Sequence, residues 1–430
     1  MLVKSLIKKG LLAAGTAGAV GASGMLAGCT TPMPPDLGCG VPGGLCAPVQ
    51  PNTSAVPSLP PPPPQEAPRS EMRTSPVELY PGTANPQSGA RPAGGTARIA
   101  LLLPLGSPGL GQAAEAVRAG FLAGQERDGA GIEVTVVPSG ESPESTLQAY
   151  ARAAEQNDLI VGPLARSSVA AIIGSQALTR PTLVLNHPQT DAPLPPQVLV
   201  LGLSLEEEAR QAADWAAQEH PTGRALVLSG KAAWQQRAAG AFAARWTRLG
   251  HNNARVELPI NDGYVDATAL SELRARLAVD RPDLVFAALD AGTLRQVRSS
   301  LGTSLPTYAL SAANPGRSPG LSVPELDGVR LVDLPWTIQP DNPQVMLYPR
   351  PVDSDSLDMQ RLYALGIDAF QVARTLAQQP GAGFELDGVT GRLSVRRNNG
   401  AWSLRRDEAA AVYRDGIGYE AVAEKPVAGK

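Results

Sequence analysis

The sequence predicts an α/β fold with two lobes, each a mostly parallel sheet with helices on both faces. Three observations predict it. Short, continuously apolar runs such as Ile99-Ala-Leu-Leu-Leu103 and Leu284-Val-Phe-Ala-Ala-Leu289 end at Pro or Asp, as strands buried on both faces do. Between such runs lie stretches with helical spacing and short loops, the alternation from which parallel sheets are built. The alternation then repeats along the chain, which calls for a second lobe on the same plan.

The elements follow in order. A strand over 98–104 leads into a helix over 111–127, with Ala114, Val117, Phe121 and Leu122 at helical spacing. Strands over 132–137, 158–161 and 181–185 alternate with helices over 142–156 and 167–178, and Gly162-Pro163 closes the third strand. After a strand over 198–201, Ser204 is placed to cap a helix carrying Glu206, Glu207 and Glu208 in its first turn, where acidic groups favour the helix dipole. Strands over 225–228, 254–258, 283–289 and 306–310 then alternate with helices over 232–249, 266–277 and 291–301. A strand over 328–332 precedes a long helix over 356–378, with Leu362, Leu365, Ala369 and Val372 on one face. Pro380-Gly381 stops that helix. Two short strands, over 391–395 and 401–404, flank Asn398-Asn399-Gly400, a hairpin turn signal. This order divides 97–416 into a first lobe of 97–203 and 327–380 and a second of 204–326 and 381–416, with 417–430 as a tail.

The chain begins differently. Lys4, Lys8 and Lys9 precede a small-residue apolar run that ends in Leu26-Ala27-Gly28-Cys29, the layout of a bacterial export signal over 1–28. A run rich in Gly and Ala is a poor match to the roughly 20 strongly apolar residues that a membrane span needs. Residues 29–96 are dense in Pro, Gly, Ser and Thr and include Pro60 to Pro64. Such a composition buries too little apolar surface to offset chain entropy, and reads as a disordered tether. Extended as polyproline at ~3.1 Å per residue, it reaches ~200 Å; as a flexible coil, ~45 Å. Of the 3 cysteines, Cys39 and Cys46 lie in this segment, either as a small disulfide loop permitted by an oxidising compartment or as free thiols. The predicted domain has no cysteine, hence no thiolate metal site.

Composition narrows function. Apolar content of 43% supports a sizeable core, while a net charge of -3 and 4% aromatic residues give no basic, aromatic-interleaved surface for nucleic acid. No His-Glu-x-x-His occurs. Gly230-Lys231 is followed by Ala232, not by the hydroxyl residue of a phosphate loop, and Ser5-x-x-Lys8 lies inside the export signal. His187, His220 and His251 are widely spaced. The expectation is therefore a protein without catalytic residues, metal or cofactor. In open parallel sheets, ligands sit outside the carboxyl ends of strands. That makes the loops 104–109, 162–166 and 185–188 one rim of an inter-lobe cleft, with Pro104, Ser107, Gly162, Pro163, Leu164, Ser167 and Asn186 as candidate lining residues.

Several stretches carry a family likeness. The opening Ile99-Ala-Leu-Leu-Leu-Pro-Leu105 and the late Gly388-Val-Thr-Gly-Arg-Leu-Ser394 with its Asn-Gly turn resemble type I periplasmic binding proteins, the branched-chain amino acid receptor class. Taken with Asp158-Leu-Ile-Val-Gly-Pro-Leu164, Leu365-Gly-Ile-Asp-Ala-Phe370 and the signal, 97–416 is similar to the LppC family, the outer-membrane lipoprotein activators of class A penicillin-binding proteins. The likeness implies a type I periplasmic binding protein-like fold and cleavage before Cys29. It further implies acylation of Cys29 and, with Thr30 rather than Asp next in line, an anchor on the periplasmic face of the outer membrane. It implies a class A penicillin-binding protein as partner, stimulated in peptidoglycan synthesis. The best-known enterobacterial members carry a helical-repeat domain where this chain has its Pro-rich segment. The alternative is a lipid-anchored receptor or sensor for a small polar ligand such as an amino acid. In receptors of that class the rim loops supply hydroxyls and backbone N–H groups to a ligand carboxylate. Ser107, Ser167 and Asn186 are placed to do so, or else Ser107 and Asn186 shape turns and Ser167 caps a helix.

Overall fold

The computed structural model describes residues 96–188, 193–317, 323–351 and 356–421. The export signal, Cys29, Cys39, Cys46, residues 29–95 of the predicted tether and positions 422–430 of the predicted tail lie outside the described residues. Among the described residues, no helix is long and apolar enough to cross a membrane.

The apolar run that opens the domain forms β1 (Ala97–Leu103), and its last five side chains are all buried. Both faces are covered because α1 (Gly111–Asp128) packs on one side and α2 (Pro143–Gln156) on the other. Ile99, Leu101 and Leu103 join Val117 and Phe121, while Ala100 and Leu102 join Ala149 and Tyr150. With β2 (Ile132–Pro138), β3 (Leu159–Val161), α3 (Arg166–Ile173), β4 (Thr182–Val184) and β5 (Val198–Val200) the chain completes a five-stranded parallel sheet of order β2-β1-β3-β4-β5. The helix α3 stops at Ile173 before Gly174, short of the expected residue 178.

The second lobe repeats the plan. It comprises α4 (Leu205–Glu219), β6 (Ala225–Ser229), α5 (Ala233–Arg248), β7 (Asn253–Glu257), a small hairpin of β8 (Ile260–Asn261) and β9 (Tyr264–Val265), α6 (Ala267–Asp280), β10 (Leu284–Ala288), α7 (Ala291–Leu301), β11 (Thr307–Leu310) and β12 (Val329–Asp333). Helices α4 and α5 bury alanines, Phe242 and Trp246 on one face of the sheet; α6 and α7 bury Leu273, Leu294 and Val297 on the other. As expected, Ser204 caps α4, its Oγ accepting from the Glu207 N–H at 3.2 Å.

The chain then returns to the first lobe through α8 (Pro335–Ile338), α9 (Pro343–Met346) and α10 (Leu357–Gln378). The sequence predicts a half-buried, amphipathic α10. Instead its residues from Arg361 to Ala373 are buried on almost every side, because α1, α8 and the strands that follow surround it. Helices α1 and α10 meet backbone to backbone: a Cβ on Gly120 would run into the Tyr363 carbonyl, and one on Gly366 into the Val117 carbonyl.

An antiparallel sheet of β13 (Phe384–Asp387), β14 (Arg392–Asn398) and β15 (Ala401–Asp407) follows, joined at the predicted Asn399-Gly400 turn, where both residues have positive φ. Finally β16 (Ala409–Arg414) and β17 (Ile417–Glu420) complete a seven-stranded sheet of order β17-β16-β12-β11-β10-β6-β7.

Three parts of the expected division change. Residues 327–333 belong to the second lobe, because β12 pairs in parallel with β11 before the chain crosses over. Residues 384–407 belong to the first, because Leu393 and Val395 are buried in its core, with Phe384, Leu386, Trp402 and Leu404 packed against them. Within the expected tail, residues 417–420 form the edge strand β17, paired with β16.

Candidate functional site

The seven predicted rim residues sit at the carboxyl ends of β1, β3 and β4, but they are turned to local tasks. Pro104, Gly162, Pro163 and Leu164 are buried. Gly162 has φ +111 and lies so close to β1 that a Cβ would strike the Leu102 carbonyl; its bond to Pro163 is cis. Ser107 is buried, and its Oγ accepts from the Leu110 N–H at 3.0 Å, just before α1. Asn186 has both ends engaged. Its Nδ2 donates to the Leu164 carbonyl at 3.0 Å, while its Oδ1 accepts from the His187 N–H at 2.9 Å and from Arg166 Nε at 3.2 Å. Ser107 and Asn186 are thus turn-shaping residues. Ser167 is not the cap: it is exposed within α3, whose cap position is Ala165. The neighbouring Ser168 is the buried one, sharing a hydrogen bond with Thr146 at 3.0 Å.

A cavity of about 620 Å³ lies between the lobes, and none of the seven rim residues lines this cavity. Its walls come from the carboxyl ends of second-lobe strands, the crossover at Leu203 and Ser204, and the first turns of α10. Leu203, Leu205, Trp234 and Leu362 supply apolar surface.

At its floor lies a buried ionic cluster. Arg361 of α10 reaches out of the first lobe, donating from Nε to Asp333 Oδ1 at 3.1 Å and from Nη2 to Asp333 Oδ2 at 2.8 Å. The same Nη2 donates to the Ser311 carbonyl at 2.9 Å, and Nη1 to Asp358 at 2.9 Å. Asp333, with 0% exposure, also accepts from Asn314 Nδ2 at 2.8 Å and from the Leu334 N–H at 2.7 Å. Glu208 of α4 accepts from the Ser311 N–H and Oγ, both at 2.9 Å.

The electrostatics follow from burial. The Glu208 carboxyl is pushed up to about 8, first by loss of water and then by the nearby Asp333 charge. Burial acts to pull the Arg361 guanidinium down, but the adjoining Asp333 carboxylate outweighs it and holds Arg361 above its ordinary range.

A second buried group ties the crossovers together. Arg406, at the end of β15, donates from Nη1 to the Gly202 carbonyl at 2.7 Å and from Nε to Thr390 Oγ1 at 3.0 Å. Asp368 of α10 accepts from the Val389 and Thr390 N–H groups at 2.9 and 2.8 Å. Burial raises the Asp368 carboxyl and lowers Arg406. Among the described residues, no group of three or more His, Cys, Asp or Glu side chains is arranged to hold a metal ion.

The arrangement binds chain to chain. The polar groups that reach the cleft are largely spent on one another: Ser311 on Glu208, Asn314 on Asp333, and Asp290 on the first turn of α7 through the Thr293 N–H at 2.9 Å. Sequence reasoning missed Glu208 as a site residue, together with Asp333 and Arg361. One signal was available. Arg361, Leu365, Asp368 and Val372 fall on one helical stripe, so two charges interrupt an apolar face, and buried charges are paired.

Comparison with known proteins agrees with this architecture. A family model described as "LppC putative lipoprotein" matches residues 94–416. The protein named penicillin-binding protein activator LpoA in Haemophilus ducreyi (strain 35000HP / ATCC 700724) is 28% identical over 309 residues, covering 70% of this chain and 51% of that protein. Its namesake in Photobacterium profundum is 26% identical over 354 residues, covering 74% and 56%. The chain spans about half the length of these curated relatives.

Among solved structures, the C-domain of LpoA (YraM) from Haemophilus influenzae, titled a regulator of PBP1A, superposes with a TM-score of 0.62. It is 23% identical, over 76% of this chain and 100% of that one. A Chromobacterium violaceum ATCC 12472 protein titled "putative branched-chain amino acid ABC transporter" superposes with a TM-score of 0.61 at 32% identity, over 74% and 100%. The fold is thus the periplasmic-binding-protein-like one expected from sequence. The family match runs through both lobes and every crossover between them, and the chain belongs to the LppC lipoprotein family.

Proposed function

We propose that this chain is a non-enzymatic lipoprotein that binds a class A penicillin-binding protein and stimulates its peptidoglycan synthesis. In this reading, acyl chains on Cys29 hold it to the periplasmic face of the outer membrane, and the Pro-rich segment 29–96 lets the two-lobed domain reach inward. Two or more acyl chains, at ~0.8 kcal/mol per buried CH₂, give a stable anchor where one does not. The observation that carries the reading is the family match over 94–416, with relatives named as penicillin-binding protein activators. The mechanism is a population shift: the domain binds an active state of the synthase more tightly than an inactive one.

The receptor alternative is less well supported. It needs rim hydroxyls and amides presented to a ligand carboxylate, whereas Ser107 and Asn186 are engaged inside their own turns and Ser167 lies on α3. The test is capture of the purified chain by the organism's class A synthases, followed by a glycan cross-linking assay with and without it. Faster cross-linking supports the reading. No binding to any synthase, together with a clear rise in Tm from a single amino acid, moves the function to the receptor. For the anchor, Cys29→Ala is expected to release the protein from the outer-membrane fraction; firm retention there contradicts lipidation as the tether.

A further inference from the structure

We propose that Arg361 is an inter-lobe latch that holds the two lobes as one rigid body, so that the cleft keeps a fixed width and does not open and close around a ligand. Two-lobed domains close through a few crossover residues whose backbone angles change freely. Here the chain crosses between the lobes at 201–204, at 333–334 and at 407–408, and each crossing is fastened by buried polar groups. At the middle crossing, Asp333 is the last residue of β12. Both its oxygens are held by Arg361, which belongs to the first lobe through α10, and they also accept from Asn314 and the Leu334 N–H. Arg361 further grips the Ser311 carbonyl, behind which Glu208 holds the Ser311 N–H and hydroxyl.

The first and third crossings are tied to each other by Arg406, which donates to the Gly202 carbonyl. Gln211, on second-lobe α4, clamps the third crossing. Its Nε2 donates to the Arg406 carbonyl at 3.1 Å, and its Oε1 accepts from the Glu408 N–H at 2.9 Å. Opening the cleft therefore separates Arg361, which keeps Asp358 on its own helix, from Asp333, whose fully buried carboxyl loses its charge partner, an unfavourable change. A ligand closes such a domain only if it binds the closed state more tightly by more than that amount. The latch needs no synthase and stands apart from the proposed function.

The test measures a distance across the cleft. In the full chain with Cys29, Cys39 and Cys46 replaced by serine, spin labels are attached at Gly106→Cys on the first-lobe rim and Lys231→Cys on the second, both exposed positions. Dipolar spectroscopy on the intact latch is expected to give one narrow distance population. Arg361→Gln is expected to broaden or shift it and to speed amide hydrogen exchange at the three crossings, with Arg361→Lys in between. Asp333→Asn serves as a second variant should Arg361→Gln not fold. Two populations with the latch intact overturn the proposal, as does a folded Arg361→Gln or Asp333→Asn protein with an unchanged narrow distance. If neither variant folds, the number of populations in the unaltered latch decides.

Discussion

The first-lobe rim and the inter-lobe crossings both gather polar side chains, but they draw their partners from different distances along the chain. At the rim, Ser107 meets Leu110 three positions on, His187 meets Asn186 next door, and Asn186 meets Leu164 22 positions away. At the crossings, Glu208 meets Ser311 103 positions away, Gln211 meets Arg406 195 away, and Arg406 meets Gly202 204 away. Rim bonds therefore shape loops within one lobe. The crossing bonds that join the lobes, Gln211 to Arg406 and Arg361 to Asp333, exist only when both lobes have folded and met, and they specify how the lobes sit together. The desolvation cost of a buried charge makes the second kind far more sensitive to loss of a single partner.

Breaking the crossings is expected to have the largest effect. Arg361→Met leaves the Asp333 carboxyl without its charge partner at 0% exposure, and should destabilise the domain by about 3–5 kcal/mol in denaturant unfolding. A loss under about 1 kcal/mol, the range of exposed pairs, would remove the contrast.

The next expected effect is steric. Gly366→Ala drives a methyl into the Val117 carbonyl and the Phe121 amide nitrogen, forcing α1 and α10 apart at about 1–3 kcal/mol. Gly240→Ala in α5, where a Cβ meets nothing within 4 Å, is expected to raise stability by about 0.5–1 kcal/mol. Thermal melts of the two variants side by side check whether backbone contact, rather than helix propensity, sets the result.

Glu208 sharpens the comparison through pH. Its folded carboxyl titrates near 8 against an ordinary 4.5, so the folded state holds a proton that the unfolded state releases. Stability from this group is fully present below the unfolded value and is lost as pH rises through about 8. Tm followed across that window should decline with pH in the native chain, and Glu208→Gln should flatten the decline. An identical slope in both proteins rules out Glu208 as the titrating group.

Rim changes are expected to be small. Ser107→Ala loses one side-chain acceptor for a backbone N–H and should cost about 1 kcal/mol. Ser167→Ala, exposed on α3, should fall within about 0.5 kcal/mol of no change. Urea titrations of the pair separate a turn-shaping serine from a solvent-facing one.

Much of the fold was legible because its cues are local. Runs such as Ile99 to Leu103 and Leu284 to Leu289 announce strands, Ser204 with three glutamates announces a helix start, and Asn399-Gly400 announces a hairpin. The site was less legible. Ser107 and Asn186 are common both in turns and in binding loops, and nothing in their neighbours distinguishes the two uses. Glu208 reads from sequence as one of three helix-start acids, and only its position facing Ser311 sets it apart from Glu206 and Glu207. Residues 381–416 followed the second lobe in sequence order, yet β13 to β15 cover the first, because Leu393 and Val395 find their apolar partners there.

By itself the sequence determined the α/β class, the order of strands and helices up to α7 apart from the small β8–β9 hairpin, and the turns that close them, since each depends on apolar period and loop chemistry within a few residues. The tertiary structure alone decided which lobe β12 to β15 join, that α10 is enclosed rather than half-exposed, and that Arg361, Asp333 and Glu208 meet. These outcomes rest on burial and charge pairing between positions far apart in the chain, and a charged side chain does not reveal its partner until folding removes the water from both.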